Sequence, residues 1–160
     1  MKSAGIKPRV VFDCNVLVQA IGSPTGPGAR CLRMLDQNLI NVFVSRAVLR
    51  EFRLVMQYPS VRQKFPNLKD EHISEFVAHL LFRATLVREV PHVFDYPRAQ
   101  QDEPYIDLAA AAGADLLVSR DDDLLSLATD HSVVAKEFRQ RFTGLRVMTP
   151  VRFLEECDRE

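Results

Sequence analysis

Five short, largely apolar runs punctuate this chain: Val10-Val11-Phe12, Ile40-Asn41-Val42-Phe43-Val44, Thr85-Leu86-Val87, Leu116-Leu117-Val118 and Arg146-Val147-Met148. Compact apolar runs of this kind suit strands buried on both faces of a parallel sheet. Between them lie segments of helical period. Residues 29–39 carry Cys31, Leu32, Leu35 and Leu39, and residues 70–84 carry Ile73, Phe76, Val77, Leu80 and Leu81 on one side. Strands alternating with helices bury their apolar faces by layering, so the expected fold is a three-layer α/β/α sandwich on a mostly parallel central sheet.

Local signals sharpen the reading. Asn15 to Ala20 reads as a first helical turn with Asn15 as a candidate N-cap, and the Gly22, Pro24, Gly26, Pro27, Gly28 loop stops it. Ser45 is a candidate N-cap for a helix running to Met56. Pro104 lies near the start of an alanine-rich helix that Gly113 stops, Asp121 to Asp123 open a short helix, and Pro150 begins the last one. Residues 58–66 and 89–101 read as connections.

A length of 160 residues with 47% hydrophobic content fits a single domain over residues 1–160. There is no run of about 18 apolar residues and no apolar core of a signal peptide near the start, so neither membrane insertion nor export is expected and the reading is cytoplasmic. Cys14, Cys31 and Cys157 are far apart, which excludes a zinc ribbon or a redox dithiol. His72, His79, His92 and His131 are scattered and read as structural. Lys plus Arg and Asp plus Glu both total 21, so net charge does not point to nucleic acid. Acids gathered at one site leave the remaining surface relatively basic, however. Arg30, Arg33, Arg46, Arg50, Arg53, Arg62, Arg120, Arg139, Arg141 and Arg146 are then available for phosphate contacts.

Four acids stand where segments turn: Asp13 after the first strand, Glu51 beside the apolar stripe of its helix, Asp102 before Pro104, and Asp121 after the fourth strand. Ligand sites of open parallel sheets lie at the carboxyl ends of strands, which makes Asp13 and Asp121 neighbours. Two like charges about 4 Å apart repel by about 4 kcal/mol at an effective dielectric near 20, so a fold that gathers them calls for Mg²⁺ or Mn²⁺. Asn15, Ser45 and Ser119 are candidates to complete a water or metal network. Asp107 competes with Asp102, and Asp123 with Asp121.

In these motifs the chain resembles the PIN-domain ribonucleases, in particular the bacterial, VapC-like group that forms the toxin half of toxin–antitoxin systems. Val10-Val11-Phe12-Asp13-Cys14-Asn15 looks like that family's opening strand, and Ser45-Arg46-Ala47-Val48-Leu49-Arg50-Glu51-Phe52 like its acidic helix. Asp102-Glu103-Pro104, followed by Leu116-Leu117-Val118-Ser119-Arg120-Asp121-Asp122-Asp123, is similar to its third and fourth acids. The resemblance runs from about residue 9 to about 154. It favours Asp102 over Asp107 and leaves Asp121 and Asp123 both open as metal ligands. It implies cleavage of single-stranded RNA by one or two Mg²⁺ or Mn²⁺ ions on Asp13, Glu51, Asp102 and Asp121, with Asn15, Ser45, Ser119 and Arg120 orienting water or phosphate. It also implies a homodimer and a cognate antitoxin protein. Two rivals differ in class: a haloacid-dehalogenase-like phosphatase with Asp13 as nucleophile, and a non-catalytic PIN-fold module that binds RNA or protein. The phosphatase reading wants an acid two residues after Asp13, where this chain has Asn15.

Overall fold

In a computed structural model that describes residues 6–158, the apolar runs form one sheet. The strands are β1 (Arg9–Phe12), β2 (Asn41–Val44), β3 (Thr85–Leu86), β4 (Leu116–Val118) and β5 (Arg146–Met148). Their order is β3-β2-β1-β4-β5 and every pairing is parallel. The side chains of Val10, Val11, Leu116, Leu117 and Val118 are almost wholly buried, which explains why these strands read as unbroken apolar runs.

Nine helices flank the sheet among the described residues: α1 (Cys14–Gly22), α2 (Pro27–Asp36), α3 (Arg46–Val55), α4 (Pro59–Lys64), α5 (Asp70–Arg83), α6 (Glu103–Ala112), α7 (Asp122–Ser126), α8 (Val133–Arg141) and α9 (Pro150–Asp158). Helix α6 lies on β1, β2 and β4, while α1 packs on α2 and α2 on α9. The Phe12 ring meets Phe153 of α9 edge-on at 6.3 Å. Right-handed crossovers that first run outward to β3 and then back to β4 and β5 place their helices on opposite faces.

Several expectations need correction. Asn15 is the second residue of α1, not its cap; the N-cap is Asp13. The helix then continues for nine residues instead of one turn. The connection over 58–66 contains α4, and the one over 89–101 runs into a 3-10 helix, Pro97–Asp102. Helix α8 was not anticipated; Ser132 caps it by accepting the Ala135 N–H at 3.2 Å.

Strand order reverses between β1 and β4: the chain leaves β1 toward β2 and β3 and returns on the other side at β4. At such a switch point the connections diverge and leave a crevice beyond the carboxyl ends of the two strands. Asp13 follows β1 and Ser119 follows β4, so both enter that crevice.

Candidate metal centre

Asp13 is only 4% exposed. Its backbone N–H extends the sheet by donating to the Val118 carbonyl at 2.9 Å, which fixes the residue at the end of β1. Its Oδ2 accepts the Ser119 hydroxyl at 2.6 Å, and the same Ser119 oxygen accepts the Asp121 N–H at 2.9 Å. Ser119 therefore ties the acid after β1 to the acid after β4. Burial pushes the Asp13 carboxyl up to about 6, against the Ser119 and Cys14 hydrogen bonds and with help from the charges of Asp121 and Glu51.

Asp102, also 4% exposed, enters from the 3-10 helix that precedes α6. One oxygen from each of Asp102, Asp121 and Asp123 lies within 4.8 Å of the others. Burial first, then Asp121, Asp13 and Asp123, raise the Asp102 carboxyl well above the usual carboxylate range. Its Oδ2 is buried without a hydrogen-bond partner among the described residues. Buried polar oxygens nearly always have partners, so an orphan among crowded carboxylates marks a place for a cation. An all-oxygen donor set of this kind suits a hard divalent ion such as Mg²⁺ or Mn²⁺.

Asp121 caps α7, its Oδ1 accepting the Asp123 N–H at 3.1 Å. Asp123 pairs with Arg98 at 2.8 Å through one carboxylate oxygen. Both acids thus stand in the cluster, and Arg98 makes Asp123 the one already partly neutralised. Glu51, half-buried on α3, approaches from the Asp13 side and accepts a hydrogen bond from the Tyr105 hydroxyl of α6.

The other candidates separate. Ser45 is buried, and its hydroxyl accepts the Val48 N–H at 3.2 Å as the N-cap of α3. Asn15 and Arg120 are exposed, and neither side chain has a partner among the described residues. Asp107 points away from the cluster: its Oδ1 accepts the Val93 N–H at 2.9 Å and the Phe94 N–H at 3.3 Å, and its Oδ2 meets His92 Nδ1 at 2.8 Å. It anchors the chain before the 3-10 helix.

His92 is not isolated from acids as its sequence spacing suggested. Asp95 lies 2.7 Å and Glu103 3.9 Å from its Nε2, and the hydrogen bonds to Asp107 and Asp95 raise the imidazole to about 9. Tyr105, Arg98 and Tyr96, whose hydroxyl donates to the Asp123 carbonyl at 2.6 Å, support the centre and carried no local sequence signal.

A protein from Methanocaldococcus jannaschii, described as uncharacterized, is 25% identical over 158 residues, covering 99% of this chain and 97% of its own length. Residues 9–123 match the family model described as PIN domain.

Proposed function

The chain belongs to the PIN-domain family of nucleases, and from that premise we propose that it is a metal-dependent endoribonuclease acting on single-stranded RNA, the toxin of a toxin–antitoxin pair. The observation that supports this reading is a buried Asp102 carboxylate with an orphaned Oδ2 among the described residues and with one oxygen within 4.8 Å of oxygens of Asp121 and Asp123, together with a buried Asp13. Asp13, Glu51, Asp102 and Asp121 hold one or two Mg²⁺ or Mn²⁺ ions, with Asp123 as a further ligand. A divalent cation held there supplies Lewis acidity and charge neutralisation for phosphodiester hydrolysis.

The chain's own residues supply placement. Ser119 holds Asp13 and the Asp121 backbone in one register, so the carboxylates at the ends of β1 and β4 cannot drift apart. Tyr105 holds Glu51, and Arg98 takes up one oxygen of Asp123. Asn15, exposed two residues after Asp13, and Arg120, exposed directly before Asp121, contact the phosphate backbone. Ser45 contributes through its cap, which orients the helix carrying Glu51. The protein works as a cytoplasmic homodimer restrained by an antitoxin; no helix of the described residues is long and apolar enough to cross a membrane.

The test is cleavage of a mixed-sequence single-stranded RNA in Mn²⁺, in Mg²⁺ and in EDTA, with Asp13→Asn and Asp121→Asn beside the wild type. EDTA abolishes cleavage, and each variant loses about 100-fold or more, beyond the 10–100-fold typical of losing a mere supporting partner. Undiminished cleavage by Asp13→Asn refutes the assignment. Growth arrest on expression of the wild type, and not of Asp121→Asn, checks the toxin role.

A further inference from the structure

A cavity of about 440 Å³, within the range of small-molecule sites, adjoins the segment that carries Asp121. Arg120 and Asp122, the residues on either side of Asp121, both line it. Its other walls come from Gln19 on α1, Thr149 and Val151 at the start of α9, Leu125 on α7, and the Gly/Pro loop that separates α1 from α2. That loop has no part in the carboxylate centre.

The lining decides what kind of group fits. Leu125 and Val151 offer apolar surface for the face of a flat ring. The Gln19 amide both donates and accepts hydrogen bonds, and the Asp122 carboxylate accepts them. A phosphate is a poor occupant, because Asp122 would face it with a like charge. The one cation of the lining, Arg120, is exposed, has no partner among the described residues, and directly precedes Asp121 in the chain.

We propose that this cavity receives the base and ribose of the RNA nucleotide adjoining the scissile phosphodiester. Gln19 and Asp122 read the edge of the base, and Arg120 holds the phosphate between cavity and cluster. RNA-binding proteins take sequence from single strands in this way, by seating an unstacked base and reading its edges. The proposal rests on the nuclease reading and adds to it the place where sequence preference originates.

The experiment uses the whole chain and four fluorescein-labelled RNA pentanucleotides, one per base, with binding followed by fluorescence anisotropy in EDTA. The proteins are the wild type, Gln19→Ala, which trims one hydrogen-bonding edge, and Val151→Trp, which fills the cavity. Circular dichroism establishes that each variant is folded, and Gln19→Ala decides the matter if Val151→Trp is not. The wild type binds one base at least about tenfold more tightly than the weakest, the scale of one well-placed edge contact, and the variants lose that preference. Equal affinity for all four bases, or a preference that the folded variants retain, overturns the proposal. The same RNAs incubated with Mn²⁺ keep the two readings apart. Selective binding without cleavage leaves the cavity's role standing and removes the nuclease, whereas cleavage without selective binding does the opposite.

Discussion

Tyr105 is 1% exposed and sets its hydroxyl against the Glu51 carboxylate, across a gap of 54 positions in the chain. A hydrogen bond to a charged group contributes about 1.5–3 kcal/mol, and here it fixes the direction in which Glu51 presents its other oxygen. Tyr105→Phe keeps the ring and its packing but frees the carboxylate. Affinity for Mn²⁺ is therefore expected to fall about 10–100-fold, as for other partners that orient metal ligands. Titration calorimetry measures it, and an unchanged Kd would show that Glu51 holds its position without the hydroxyl. Nothing in the sequence around Pro104 marks Tyr105, because the contact exists only once α3 and α6 are packed together. Asp107 shows the same limit from the other side. Flanked by Ile106 and Leu108, it cannot be told from a site acid until its partners, the Val93 and Phe94 amides, are seen.

Between elements, the crossing of α1 and α2 depends on Gly28. A methyl group there would stand 2.9 Å from the Val16 carbonyl oxygen and 3.1 Å from the Ala20 nitrogen, both backbone atoms that cannot turn aside. Gly28→Ala therefore pushes α2 off α1, and overpacking of this sort costs about 1–3 kcal/mol. Urea denaturation should show a lower midpoint at unchanged slope; an unaltered midpoint would mean that the helices separate at no cost. In the sequence this loop is visible only as a break between helices; its tightness is a property of the packed pair. Elements were legible in proportion to the strength of their own pattern. The inner strands were plain because burial on both faces leaves Val10-Val11-Phe12, Val42-Phe43-Val44 and Leu116-Leu117-Val118 without a polar residue. Ser45 was recognisable from its place before an apolar helix, and Gly113 as the glycine that stops an alanine-rich run, where the backbone indeed turns left-handed at φ 59°. Helix α8 went unread because only Ala135 and Phe138 of its nine residues are buried, too few to set a period. That Asp13 and Asp121, the acids after β1 and β4, come together was legible for a topological reason, since a parallel sheet sends its carboxyl ends to one side.

For the whole molecule, that arrangement sets function against stability. The β1/β4 switch point draws Asp13 and Asp102 out of water and toward other acids, so in the absence of metal the native state favours their protonated forms. Asp13 has an ordinary value of 3.8 and is raised to about 6. The native state consequently binds more protons than the unfolded state between those values, and stability is lost as pH rises from about 4 through 6. Asp102, raised further, extends the decline toward neutrality. At 1.36 kcal/mol per pKa unit, Asp13 alone accounts for up to about 3 kcal/mol at pH 7.5. Other carboxylates oppose this trend: Arg146 and Arg152 hold Glu156 below its usual range, so its contribution is lost at low pH. The informative quantity is therefore the difference between wild type and Asp13→Asn, which cancels such groups. In EDTA the variant should match the wild type near pH 4 and melt at higher temperature at pH 7.5. Mn²⁺ at 100 times its Kd adds about 2.7 kcal/mol to the wild type and much less to a variant lacking a ligand, so the metal narrows or reverses the order. Thermal melts of both proteins across this pH range, with EDTA and with Mn²⁺, make the comparison. Parallel curves for the two proteins would mean that Asp13 ionises freely in the fold, and that the crevice bears no electrostatic strain for a cation to relieve.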